Sequence, residues 1–560
     1  MSGDLRFDAD QSAAARPTTI PALLARAFSL APDREAVVLD DQRLTYRELD
    51  EQSRRMASGL LRRGMAKGAR VGLWLGNGPD WVVHWAAVTR AGGVAVPMST
   101  FTRGIELRKM VAHGDLWGIV THESFLGQDR VAQLEESFPE IADADGDLAM
   151  ESAPFLRWVL LLERSETAPD WKAPDWARTL EWATGVADDP LVAAAEQQIA
   201  PTDTSMMIFT SGTTSDPKGV LHTHGTVATK AAYLHDILGF QSDDRSYTAL
   251  PFCWVGGLSL SLFPVLYAGA TQICTDRFEA GEVLACLERE RVTRAGFLPD
   301  KVVALRAHPT FATTDLSALT ITSRALLPES VRDYGVTIDG LTMGLGMSET
   351  FGPYWWGVAE GPDGTSILSP TRPVPPLRAL QPGVELRVVD GEGRPVGDDE
   401  PGEIQVRGAC ITEGLNKVAR SDTFTDDGYL RTGDRGRLVD GVPTFEGRIK
   451  ELIKTSGANV APAEVVAALV EMDGISAAHV VGLADPVRGQ IVAAALVAAD
   501  GRILDLEQVR DGLTGQISPY KVPRHFIQLE AAEIPWNSDT NKLRRWELAQ
   551  IITERITETS

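Results

Sequence analysis

Residues 210–219 read TSGTTSDPKG, with hydroxyl side chains at Thr210, Ser211, Thr213 and Thr214, a glycine at 212, and Lys218 followed by Gly219. A short apolar run, SMMIF over 205–209, precedes the stretch and predicts a strand. The alternating GVLHTH of 219–224 follows it and predicts a second strand, before a helix from about Thr226. A nucleotide loop of the G-x-x-x-x-G-K-[ST] type places its lysine after a glycine and opens directly into a helix. Here Lys218 precedes its glycine and a strand comes next, so that reading fails on order and on context. The residue types still suit polyphosphate. Four hydroxyls can donate to phosphate oxygens, Gly212 permits close backbone approach, backbone N–H groups can form an anion nest, and Lys218 adds charge. Taken alone, a Ser/Thr/Gly stretch is more often an ordinary polar turn.

The rest of the chain bounds what such a loop can serve. With 560 residues the chain exceeds a single core, and about two to four domains are expected. A formal charge of −23 argues against nucleic acid or an anionic membrane as partner, and an anionic substrate would need a locally positive site. Cys253, Cys274, Cys286 and Cys410 have no metal-ligand spacing and read as free thiols in a reducing compartment. The N-terminal MSGDLRFDAD is acidic and unlike a signal peptide, and no apolar run reaches a transmembrane length, so a cytoplasmic protein is expected.

Upstream of the loop the pattern is strand, helix, strand. Thr45 and Glu48 form a capping-box signature ahead of a stripe of Leu49, Met56 and Leu60, with Gly64 as the stop. RVGLWL (70–75) reads as a buried strand, about Pro79 to Arg90 as a helix, and GVAVP (93–97) as the next strand. That rhythm predicts an α/β fold of parallel or mixed sheets with crossover helices. Residues 138–200 show little periodicity and read as surface excursions; the proline-rich 361–383 reads as a loop region. After about residue 450 a helix over 461–474, strands near 478–483 and 491–498, and a helix near 506–517 predict a small α+β unit.

The loop resembles the phosphate-binding signature of adenylate-forming enzymes, approximately [ST]-S-G-[ST]-T-G-x-P-K-G, at every position except Ser215, where glycine is usual. Further segments resemble the same family in the same order. In GLGMSET (344–350), Glu349 would help hold Mg²⁺, Gly346, Met347 and Ser348 would lie beside the nucleotide, and Leu345 replaces an aromatic of the adenine and acyl region. In GYLRTGDRG (428–436), Asp434 would accept from both ribose hydroxyls. In FEGRIKELIKTSGANVAPAEV (445–465), Arg448 would contact nucleotide, Lys450 falls at the hinge, and Lys454 and Gly457 lie where the thiol step occurs. In IPWNSDTNKLRRWEL (534–548), Lys542 takes the place of the catalytic lysine, with Asn541 standing for a glycine. The segment TSRALLP (322–328) departs from the small-residue stretch that flanks adenine, and no site residue is transferred from it. Each segment by itself also fits a bland reading: a helix cap, a plain turn, a basic strand or a surface lysine.

The resemblance covers roughly residues 30 to 548. It implies a large N-terminal AMP-binding domain over 1–447 and a small mobile C-terminal lid over 448–560, hinged near Lys450. It also implies an acyl-CoA synthetase that uses ATP, Mg²⁺ and coenzyme A. Lys542 and Mg²⁺ at Glu349 would offset charge as a carboxylate attacks the α-phosphorus, while Lys218 and the hydroxyl loop would hold the departing pyrophosphate. LPFCWVGGLSLSLFP (250–264) aligns with the acyl tunnel and assigns Trp254, Gly256 and Gly257 to it, which suits a hydrophobic acid, fatty or alicyclic. Trp254 fits a reading as ordinary core equally well. No fused carrier domain follows Lys542, so free coenzyme A is the expected acceptor. A ligase loading a separate carrier protein, a degenerate nucleotide-binding homologue, and a homodimeric state fit the same residues.

Overall fold

The computed structural model describes residues 16–102, 104–145, 147–163, 173–210, 218–297, 299–322, 326, 336–337, 343–357, 378–455, 458–460, 462–485, 488–514, 517, 521–537 and 543–559. Contacts divide the chain into two compact units, one of residues 1–384 with 408–423, the other of 385–407 with 424–560.

The first unit begins as its sequence pattern dictates. Thr45 accepts from the Glu48 backbone N–H, the Glu48 carboxylate accepts from the Thr45 N–H, and the helix Tyr46–Arg62 follows. Its stripe of Leu49, Met56 and Leu60 is buried. The strand Arg70–Trp74, the helix Pro79–Arg90 and the strand Val94–Pro97 form a right-spaced crossover unit whose two strands pair in parallel.

Those strands belong to a seven-stranded sheet in the order Gly414–Leu415, Lys218–Thr223, Thr204–Thr210, Val94–Pro97, Arg70–Trp74, Gly118–His122, Trp158–Leu162. The last strand corrects the reading of 138–200 as surface excursions. The five residues WVLLL are all buried and pair in parallel with Gly118–His122, and a five-residue apolar run is too short to show a period. A second seven-stranded sheet carries Arg245–Thr248, Thr271–Cys274 and Glu35–Leu39 at its centre. The unit also holds a small antiparallel sheet of Met343–Met347, Gly352–Gly357 and Arg378–Leu380 and a two-stranded one of Ser124–Phe125 and Gln128–Asp129.

The second unit combines two sheets. One is four-stranded and contains Gly402–Gly408, Leu430–Val439 and Val442–Arg448. The other is five-stranded around the long hairpin Ile475–Asp485 and Gly489–Ala498, and the helices Pro462–Val470 and Leu506–Thr514 contribute to its apolar core. The contact boundary therefore lies upstream of the 447/448 limit drawn from sequence texture. The strands before residue 448 form a sheet of their own that composition does not reveal.

All four cysteines are unpaired and buried. No helix among the described residues is long and apolar enough to cross a membrane.

Candidate active site

The loop that opened the sequence reading is framed by an antiparallel hairpin. Thr210 ends the strand Thr204–Thr210, Lys218 begins Lys218–Thr223, and the two residues pair directly. Ser211, Gly212, Thr213, Thr214 and Ser215 lie outside the described residues, as do Gly457, Asn541 and Lys542. The hairpin thus places the two ends of the expected phosphate loop side by side at one end of a buried strand pair.

The same strand reaches the second candidate segment. Four residues past Lys218, the fully buried His222 donates from Nε2 to the Ser348 carbonyl at 2.8 Å. A carbonyl only accepts, so Nε2 carries the proton and the ring is the neutral Nε2–H tautomer. Burial pushes the His222 pKa down to about 3, which keeps the ring uncharged across the ordinary pH range.

Ser348 and Glu349 lie in a single 3₁₀ turn, Ser348–Thr350. Thr412 donates its backbone N–H to the Glu349 carbonyl at 2.7 Å, and the buried Thr350 hydroxyl accepts from the Met347 N–H at 3.0 Å. Phe351 then adopts a left-handed conformation with φ 50°, a strained choice for an aromatic residue, of order 1–3 kcal/mol. Its fully buried ring explains how that is held: it meets the His222 ring edge-on at 4.7 Å and stacks near Phe263 at 6.0 Å. None of His222, Thr350, Phe351 or Thr412 was legible as a site residue. Their signal is a buried polar or aromatic side chain whose partner is distant in sequence.

Gly346 precedes the turn at a register shift between Leu345 and Gly346. A Cβ there would stand 2.6 Å from the Pro353 Cα, so glycine is demanded by close strand approach. Leu345, Met347, Ser348 and Glu349 are partly exposed, as side chains available to a ligand must be. Among the described residues no group of three or more His, Cys, Asp or Glu side chains converges to form a metal cage. A single carboxylate such as Glu349 nevertheless fits Mg²⁺, which is commonly held by one or two carboxylates together with substrate phosphates and water.

In the segment assigned to the acid (250–264), Trp254 precedes the short helix Val255–Gly257 and the π-helical turn Leu258–Leu262. Such π-turns concentrate at functional sites. A Cβ on Gly257 would fall 2.2 Å from the Pro251 carbonyl oxygen, whereas one on Gly256 would find its nearest neighbour, Leu250 Cδ1, at 3.8 Å. Gly257 is thus required by packing and Gly256 is not. The neighbouring Cys253 thiol is pushed up to about 12 by burial and is inert as a nucleophile.

In the second unit, Asp434 and Arg448 face each other across adjacent strands, with Arg448 Nε 2.6 Å from Asp434 Oδ1. The Asp434 side chain is 10% exposed and that of Arg448 is 43% exposed. Lys450 lies in the 3₁₀ turn Ile449–Glu451 directly after Arg448, and Lys454 in the strand Ile453–Thr455, where it pairs with Asn459.

A profile of the family described as AMP-binding enzyme matches residues 24–415, and one for the AMP-binding enzyme C-terminal domain matches 464–537. The chain is 29% identical to an indoleacetate–CoA ligase of Aromatoleum aromaticum over 95% of this chain and 97% of that one. It is 30% identical to 4-coumarate–CoA ligase 2 of Oryza sativa, covering 90% and 86%. Among solved structures it resembles ATP-bound MatB of Rhodopseudomonas palustris, with a TM-score of 0.72, 23% identity, and 94% and 98% coverage. At that identity the likeness concerns the fold. The chain therefore belongs to the AMP-binding enzyme family, within the adenylate-forming superfamily, as an AMP-forming acid–CoA ligase.

Proposed function

We propose that this ligase activates a hydrophobic carboxylic acid, fatty, alicyclic or otherwise bulky, as its acyl-adenylate and transfers the acyl group to free coenzyme A. The observation that carries the reading is the hairpin that sets Thr210 beside Lys218 and, through His222, grips the turn bearing Ser348 and Glu349. It joins the two segments that adenylate formation needs to work together.

In this reading Lys218 and the hydroxyls of Thr210, Ser211, Thr213 and Thr214 hold the departing pyrophosphate. Gly346, Met347 and Ser348 lie along the nucleotide, Asp434 accepts from the ribose hydroxyls and Arg448 contacts the phosphate side. Glu349 would hold Mg²⁺, whose charge reduces repulsion between the carboxylate and ATP. Lys542 offsets charge developing at the α-phosphorus. For the second step a lid hinged near Lys450, with its limit at 447/448, carries Lys542 away while Lys454 and Gly457 line the path of the thiol.

A hydrophobic acid is favoured by the apolar run from Phe252 to Phe263, which is largely buried and holds Trp254 at its start. Relatives whose names specify indoleacetate, 4-coumarate and a long-chain fatty acid point to bulky acids. A cytoplasmic location and a homodimeric assembly are further parts of the proposal.

Acid-dependent exchange of labelled pyrophosphate into ATP, across fatty, aromatic and polycyclic acids, tests the first step. Thioester formation with coenzyme A alone tests the second. Exchange without thioester would favour loading of a separate carrier protein, and absence of exchange with every acid would leave a nucleotide-binding homologue.

A further inference from the structure

Lys230 is a lysine in the wrong place for a surface charge. It lies in the helix His224–Leu238, is 0% exposed, and among the described residues has no carboxylate partner. Its ammonium donates to the Pro353 carbonyl and to Gln381 Oε1, each at 2.6 Å. Both acceptors are neutral, and an ammonium has three N–H donors. A buried cation served by two neutral acceptors is expensive to keep, and a hydrophobic side chain of similar length would fill the space more cheaply.

The surroundings are rich in donors of the same kind. Lys230 Nζ lies 5.7 Å from the Tyr233 ring centroid. Tyr233 packs with Leu234, Ile237, Ile321 and Trp356 in one apolar cluster. Within it the Tyr233 hydroxyl and the Trp356 indole N–H are buried and, among the described residues, have no hydrogen-bond partner, each residue being 7% exposed. An indole N–H and an ammonium only donate, and the Tyr233 hydroxyl can donate as well, so the cluster is rich in donors that an added oxygen acceptor would satisfy.

Its place in the fold ties it to the candidate site. Pro353, which accepts from Lys230, pairs with Gly346 across the small sheet. The residue before it, Gly352, is packed against Ser259 of the acyl segment, where an added Cβ would stand 2.4 Å from Ser259 Oγ. One strand thus touches Lys230, the nucleotide segment and the acyl segment.

We infer that Lys230, with Tyr233 and Trp356, is a specificity-determining group that receives an oxygen acceptor carried on the body of the acid, remote from the carboxylate that reacts. The inference rests on the acid-activating reading above and narrows its substrate class. The acid is apolar over most of its length and bears a second oxygen function, either a carbonyl or a second carboxylate.

The test compares octanoate, 7-oxooctanoate and octanedioate in pyrophosphate exchange, for the wild-type chain and for Lys230→Met, Lys230→Arg and Tyr233→Phe. The wild type is expected to favour one of the oxygenated acids over octanoate by about tenfold in kcat/KM, the usual cost of leaving a buried donor unfilled. The ratio falls to about one in Lys230→Met and by about threefold in Tyr233→Phe. Which oxygenated acid wins tells a carbonyl from a carboxylate. Equal ratios in wild type and variants overturn the inference, as does a wild type that prefers octanoate. Should Lys230→Met fail to fold, Lys230→Arg and Tyr233→Phe carry the comparison. Melting shifts produced by the same acids without ATP separate this inference from the parent reading. If no acid supports exchange, the ligase reading fails. A larger shift with an oxygenated acid that vanishes in Tyr233→Phe then still upholds the donor cluster, and identical shifts overturn it.

Discussion

The two units hold their candidate residues by opposite means. In the first, the Ser348–Thr350 turn is gripped by a buried, uncharged histidine and by backbone hydrogen bonds, and beside it stands an aromatic residue locked into a left-handed conformation. In the second, Asp434 is held by an ion pair whose arginine is 43% exposed. Neutral buried contacts cost folding energy when broken and are little affected by salt. In the ion pair only the arginine side is open to solvent and salt, while the Asp434 carboxylate is largely buried. The contrast teaches that the first unit holds its turn through neutral buried contacts, whereas the second holds Asp434 through a charge pair with one partner open to solvent.

The largest effect expected lies on the charge side of that comparison. Lys542→Ala should lower adenylate formation by about 10²–10³ while sparing thioester formation from a supplied acyl-adenylate. Pyrophosphate exchange and single-turnover thiolysis measure the two steps, and loss of both would break the assignment. Next, Asp434→Asn should weaken nucleotide binding about tenfold, by removing a charged acceptor. Its unfolding midpoint should correspond to a change of less than about 1 kcal/mol. A strong loss of stability with intact ATP affinity would mean that the Asp434–Arg448 pair is structural.

His222→Phe should show the reverse pattern. The Ser348 carbonyl loses its donor, and urea unfolding should register a loss of about 1–3 kcal/mol, with a smaller change in KM for ATP. The histidines also predict the pH response. Burial lowers the pKa of His222 from 6.5 to about 3 and that of His224 from 6.5 to about 4. Between those values and 6.5 the unfolded chain binds the additional protons, so stability is fully present above pH 6.5 and declines as pH falls toward 4. Urea midpoints over pH 4–7 should slope accordingly, and His222→Phe should flatten the slope. An unchanged slope would place His222 in water. The smallest effect belongs to Ser215→Gly, which should move KM for ATP by no more than about threefold, since the strain relieved at one position is of order 1 kcal/mol.

Much of this architecture was legible where the chemistry is local. The Thr45–Glu48 cap, the Pro79–Arg90 helix and the two strands flanking residues 211–217 each follow from neighbours in sequence. The strand Trp158–Leu162 was missed because a five-residue apolar run shows no period, and its identity depends on a partner some forty residues away.

By itself, then, the sequence determined the family and the order of the motifs, because those signals lie in short segments whose spacing is set by local backbone geometry. Only the tertiary structure decided that His222 reaches the Ser348 carbonyl, that Phe351 is wedged left-handed beneath it, and that Lys230 is buried with no counter-ion among the described residues. The physical reason is that each of these depends on burial or on a partner more than a hundred residues away, and side-chain desolvation exists only once the sheets have packed.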